Sequence, residues 1–146
     1  SRNDNMNKRR LSKILAKASP QQVQELAGEI KTQHEITVVK APEKSLVMIK
    51  MRDPVKESLF YLGEVIVSEA IVDLDGAKGT AVLLGDDYEK ALDMAVIDAA
   101  CNKGVFARFD VLEQLEAEQN RRTEQENALF LKTMVNFTSM DSEAAQ

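Results

Sequence analysis

Apolar positions recur at two different periods along the chain, and the change of period organises it. From Lys8 to Ala18, Leu11, Ile14, Leu15 and Ala18 fall at helical spacing with Lys13 and Lys17 opposite, which predicts a short amphipathic helix. Ser19-Pro20 restarts the chain. Ser19 is placed as N-cap, Pro20 at the first helical position and Gln22 three residues past the cap; Val23, Leu26, Ala27 and Ile30 give this second helix its apolar side. Two short helices so joined make a helical hairpin able to pack on one face of a sheet. Strand-like runs then take over: Ile36 to Val39, a turn over 41–44 containing Pro42, and Leu46 to Met51 closed by Asp53-Pro54. Leu59 to Leu62 follows, with Gly63 as a bulge or bend. Glu64 to Leu74 runs into Asp75-Gly76, the dipeptide that most readily supplies the positive φ angles of a tight hairpin, so Thr80 to Leu84 folds back antiparallel.

Helical spacing returns after Gly85. Asp86 or Asp87 can accept from the free N–H groups of a helix running from Tyr88 to Lys103, and Gly104 offers a left-handed stop. Tyr88, Leu92, Ala95, Val96 and Ala99 form one apolar stripe, and Met94, Ile97 and Cys101 widen it. Such a helix needs cover on more than one side: the sheet supplies one, and another helix or another subunit the rest. Asp98 lies off its polar side, where a carboxylate needs a basic side chain or backbone N–H groups as partner, within the fold or across an interface.

Asp110 with Glu113 reads as the capping box of a last helix. Leu112 and Leu115 are apolar at its start and Leu129, Phe130, Met134 and Val135 at its end, whereas 116–127 is polar all round. Continuous from Asp110 to Val135 it is about 39 Å long, more than the width of a small domain, and its far end is expected to reach another subunit. A break near Asn120, giving a hairpin, is the alternative. The expected fold class is α+β: an antiparallel sheet of about four strands, with an N-terminal helical hairpin, a helix packed on the sheet and a long C-terminal helix. No strand-helix-strand alternation argues for a parallel sheet. The organisation that follows is a flexible N-terminus over 1–7, an α+β body over 8–109, a partner-binding helical arm over 110–138 and a loose tail over 139–146.

Composition sharpens this picture in three places. The chain of 146 residues, 44% hydrophobic, has room for one modest core. Its net charge of −5 is uneven: residues 1–56 hold 12 Lys and Arg against 6 Asp and Glu, and residues 57–146 hold 7 against 18, which points to partners of opposite sign at the two ends. No apolar run approaches the roughly 20 residues of a membrane span, and no signal-peptide core opens the chain, so a cytoplasmic protein is expected.

Self-sufficient chemistry is scarce. Gly76-Ala77-Lys78-Gly79-Thr80 has the residues of a phosphate loop in the wrong order and within a hairpin turn. The Gly85 corner opens a helix N-terminus, but Asp86 and Asp87 already place negative charge where an anion would sit; capping is the favoured role, with a metal-bridged phosphate or a metal-dependent hydrolase around the two carboxylates as rival readings. Glu64 and Glu69 have opposite parity on one strand and face opposite sides, so they are no catalytic pair. One Cys and one His give neither an internal disulfide nor a His/Cys metal cluster from this chain alone, and nothing in the sequence brings His34 to Cys101 as a base. Lys8, Arg9, Arg10, Lys13 and Lys17 form a basic patch. Without interleaved aromatics it favours an acidic partner over nucleic acid, and a stand-alone small-ligand or nucleic-acid module using this helix is the alternative function.

Phe60-Tyr61-Leu62-Gly63-Glu64, Asp75-Gly76, Gly85-Asp86-Asp87, the Ala95–Ala100 block (AVIDAA) and Thr133-Met134-Val135, in this order and spacing, resemble the G subunit of the bacterial carbon-phosphorus lyase core complex over nearly the whole length, Lys8 to Val135. The first helix departs from the family's Arg-x-x-Trp-Met pattern, with Lys8, Leu11 and Ser12 there, and Leu131-Lys132 stands where an aromatic pair is usual. The resemblance implies a subunit of α-D-ribose 1-methylphosphonate 5-triphosphate synthase, which replaces the adenine of MgATP with a phosphonate. It implies partnership with the I, H and J subunits and with an ATP-binding-cassette-like subunit. MgATP would be the substrate of the complex, with no cofactor bound by this chain alone, no nucleic acid and no membrane; a homodimer is possible in isolation. The expected site is an interface: Leu129, Phe130, Thr133, Met134 and Val135 bind a partner, Asp86, Asp87 and Asp98 are structural or interface charges, and no catalytic residue is assigned.

Overall fold

Asn7 opens the first helix by accepting a hydrogen bond from the Arg10 N–H at 2.8 Å, and α1 (Lys8–Lys17) follows. The structure, a computed structural model, describes residues 6–52 and 59–145. Met6 is buried with Leu11, Ile14 and Leu15. Within the start expected to be flexible over 1–7, Met6 is a core side chain and Asn7 a cap. α2 (Pro20–Gln33) opens with a reciprocal capping box: the Gln22 N–H donates to Ser19 Oγ at 3.1 Å and the Ser19 N–H to Gln22 Oε1 at 3.0 Å.

The sheet has three described strands, β1 (Ile36–Arg52), β2 (Leu59–Leu74) and β3 (Ala77–Leu84), antiparallel and in the order β1-β2-β3. The expected count of about four is lowered because Pro42 does not turn the chain. The β1–β2 register slips between Val38 and Lys40 and again between Lys40 and Glu43, so Ala41-Pro42 is absorbed as bulges in an edge strand, where a missing N–H is tolerated. Gly63 does mark a bulge. Ile49 pairs with Gly63 and Lys50 with Tyr61, which leaves Leu62 out of the ladder and joins 59–62 to the strand that follows. The expected stop at Asp53-Pro54 lies outside the described residues.

Asp75 (φ 48°) and Gly76 (φ 92°) both adopt the left-handed conformation at the β2–β3 turn, as a tight hairpin demands. β3 runs beside β2 from Val67 to Leu74, and beyond Val67 the first two strands continue as a two-stranded ribbon. Ala70, Val72, Leu74, Gly79, Ala81 and Leu83 share the buried face of the sheet. α3 (Tyr88–Lys103) packs on this face and is covered on its other side by α2 and α1. The extra cover that so apolar a helix requires comes from this chain's own hairpin of helices. Asp87 caps the helix, accepting from the Lys90 N–H at 3.1 Å, and Gly104 (φ 82°) ends it. At the corner between β3 and α3 the Ser68 hydroxyl donates to the Gly85 carbonyl at 2.7 Å.

The chain divides into two units, residues 1–108 and 109–146. The second holds α4 (Phe109–Ala145), 37 residues and about 55 Å long. It is continuous through Asn120: the Thr123 hydroxyl donates to the Gln119 carbonyl at 3.0 Å, and Arg122 and Glu118 pair at 3.5 Å, one turn apart. It also continues past residue 138 through the segment read as a loose tail. Because it begins at Phe109, Asp110 stands in the first turn, where its charge favours the helix dipole, rather than at the cap.

Candidate partner-binding site

Three charged side chains on α3 are buried, and each is tied to an element outside it. Asp98, 3% exposed, accepts from Lys8 Nζ at 2.8 Å and from the Thr80 N–H at 3.0 Å. Lys8 also donates to the Thr80 carbonyl, and Asn102, one turn beyond Asp98, donates to the Lys78 carbonyl at 2.8 Å. Asp93 accepts from Lys31 of α2 at 2.6 Å. Lys90 donates to the carbonyls of Ala16 and Ala18 at 2.8 and 2.6 Å, holding the end of α1, and burial pushes its ammonium below the usual lysine range. Sequence reasoning found Asp98 and missed Lys90 and Asp93. It left them on the polar side of α3, whereas α1 and α2 cover that side; the helix's own pattern asks for a second cover but does not say which residues lie under it.

Asp86 and Asp87 are exposed; Asp87 caps α3, and the Asp86 carbonyl accepts from the Tyr88 N–H at 3.0 Å. In the 76–80 segment, already set aside as a phosphate loop, Gly79 lies against Ala95 and Ala99 of α3. His34 Nδ1 stands 3.4 Å from Asp75 Oδ2, and Cys101 is fully buried. The basic patch of α1 is thinner than its sequence: Lys8 is engaged by Asp98 and Arg10 is half-buried, while Arg9, Lys13 and Lys17 are exposed in a row at i, i+4 spacing. Among the described residues no group of three or more His, Cys, Asp or Glu could hold a metal ion, and no helix is long and apolar enough to cross a membrane.

The apolar end of α4 is exposed. Leu129, Phe130 and Leu131 show 62–66% of their surface and Met134 47%. Thr133 turns its hydroxyl to the Leu129 carbonyl at 2.9 Å, which leaves its methyl group as the part available to a partner. The Val135 side chain lies outside the described residues. Leu129 and Leu131 are two positions apart, about 200° around the helix axis, so apolar groups stand on opposite sides and a flat surface cannot cover both.

The model of the family described as phosphonate metabolism protein PhnG matches residues 6–141. The chain belongs to the PhnG family. A relative from Rhizobium meliloti (strain 1021), named alpha-D-ribose 1-methylphosphonate 5-triphosphate synthase subunit PhnG, is 32% identical over 124 residues, a match covering 76% of this chain and 80% of the relative. In this member of the PhnG family four of the five segments that carried the resemblance are structural junctions, and Thr133-Met134-Val135 lies within α4. Phe60–Glu64 contains the β2 bulge, Asp75-Gly76 makes the hairpin turn, Gly85-Asp86-Asp87 forms the capped corner, and Ala95–Ala100 includes the small residues against Gly79.

Proposed function

We propose that this chain is an accessory subunit of the carbon-phosphorus lyase system, supporting transfer of ribose 5-triphosphate from MgATP to a phosphonate with release of adenine. Membership of the PhnG family carries this reading, and the name of the Rhizobium meliloti relative, a synthase subunit, points to the same reaction. The distribution of polar groups supports an accessory role. Asp98, Asp93, Lys90 and Asp87 are each committed to holding α3, and the outstanding unsatisfied feature of the described chain is apolar. The contribution of the subunit is then assembly: Leu129, Phe130, Thr133, Met134 and Val135 anchor α4 in a larger subunit. The I, H and J subunits and the ATP-binding-cassette-like subunit are its partners, and MgATP is handled by the complex.

Phe130→Asp combined with Met134→Asp tests the anchor. Two carboxylates buried without partners cost several kcal/mol, on the order of a thousandfold in affinity or more. Co-expressed with the other subunits, the double variant is expected to drop out of the purified assembly while its own urea unfolding midpoint stays unchanged. Normal incorporation would remove the anchor assignment.

A further inference from the structure

The two edges of the sheet are treated differently. At β3 the edge groups over 78–80 are engaged by side chains: the Thr80 N–H by Asp98, the Thr80 carbonyl by Lys8 and the Lys78 carbonyl by Asn102. At β1, among the described residues, Ile36, Thr37, Val38 and Lys40 pair with β2, with Val39 bulged between them, and the backbone from Ile36 to Lys40 has no partner on its outer side. Exposed ladder groups of this kind are a template for another strand.

The space beside β1 has the shape and lining for one. Ile36 and Val38 stand opposite Leu74 and Val72 and so share the face that packs on α3, yet Val38 is 46% exposed while Val72 and Leu74 are fully buried. Next to them opens a groove of about 400 Å³, with Leu92 and Val96 of α3 as its floor and Lys31 and His34 of α2 on its rim. A strand about 4.8 Å from β1 would pair the free N–H and C=O groups and point alternate side chains into this groove. A helix or a small apolar molecule could fill the groove but would leave the ladder unpaired.

We propose that an extended segment of a partner subunit, with apolar side chains at alternate positions, adds to β1 over Ile36–Lys40 as the fourth strand of the sheet and fills the groove beneath α2. The bulges that begin after Val38 confine it to this short stretch. Main-chain hydrogen bonds supply affinity and the groove supplies selectivity. The proposal rests on the chain being a subunit of a larger assembly.

Hydrogen exchange on the isolated chain and on the assembly purified with its co-expressed subunits tests it. The amides within Ile36–Lys40 that face away from β2 are expected to exchange at least about tenfold more slowly in the assembly. Val38→Lys is expected to lower recovery of the assembly by about tenfold, whereas Val82→Lys, an exposed change on the outer face of β3, leaves it unaltered. Unchanged exchange at these amides in a correctly formed assembly overturns the proposal and leaves the functional reading standing. Protection already present in the isolated chain and lost on dilution overturns it in favour of a second copy of this chain. Failure to recover any assembly with the wild-type chain overturns the functional reading itself.

Discussion

Gly79 shows how a single missing side chain sets the distance between two elements. A Cβ at this position would lie 2.0 Å from the Ala95 carbonyl oxygen and 2.4 Å from the Ala99 nitrogen, both backbone atoms that cannot step aside. The cost of Gly79→Ala is therefore steric, and about 3 kcal/mol of stability is expected to be lost, at the upper end for overpacking. Gly28→Ala is the control: nothing lies within 4 Å of that Cβ, and a helical alanine in place of glycine is expected to add about 0.5–1 kcal/mol. Urea titrations of the two variants should move in opposite directions, and equal shifts would show that the β3–α3 contact does not have this closeness. Lys90 makes a second residue-level point. Its pKa is lowered from 10.5, with burial as the largest cause, so the unfolded chain binds the proton more tightly than the fold does. Stability should then rise with pH as it climbs through the folded pKa towards 10.5. In Lys90→Met this alkaline rise should disappear, while the carbonyls of Ala16 and Ala18 lose their donor and the variant is less stable at pH 7. Unfolding midpoints measured from pH 7 to 10.5 would show parallel curves for both proteins if Lys90 were not the group responsible.

At the level of elements, α3 is more than a core helix, because its Asp98 and Asn102 also close the edge of β3. Losing the carboxylate in Asp98→Ala leaves the part-buried Thr80 N–H without its acceptor, a loss of about 1–3 kcal/mol. Lys8→Ala removes a half-exposed ammonium and should cost less than about 1 kcal/mol. If the two variants proved equal in chemical denaturation, the ion pair rather than the edge hydrogen bond would be what matters. This element was partly legible in advance. The Asp75-Gly76 turn, the Ser19–Gln22 capping box, the Asp87 cap and the Gly104 stop are local signals, each decided by residues within a few positions, and each stands where the pattern places it. The strand count was not legible, because Pro42 is compatible with a turn or with an edge bulge and the choice depends on the register against β2. The burial of Lys90 and Asp93 depends on which helices cover α3, information held in α1 and α2 rather than in α3 itself. The apolar end of α4 was visible as composition, and the continuity of its polar middle rests on one-turn contacts such as Glu118–Arg122.

For the molecule as a whole, charge is divided unevenly between the two units. Residues 1–108 hold 16 acidic and 16 basic side chains, while residues 109–146 hold 8 acidic and 3 basic, so the net charge of −5 belongs to the helical unit. That charge opposes side-by-side association of two copies of α4 at low salt, and the exposed Leu129, Phe130, Leu131 and Met134 favour it. Screening weakens the first term within a Debye length of about 10 Å at 0.1 M salt and leaves the second intact. The isolated chain should accordingly self-associate as protein concentration and salt rise. In sedimentation velocity, the weight-average mass is expected to climb between low and moderate salt for the wild type and to remain near 16.3 kDa for the Phe130→Asp, Met134→Asp double variant. Association that instead falls with salt, or that survives the double substitution, would locate the contact on the sheet unit and make its charged face, not the end of α4, the surface through which copies meet.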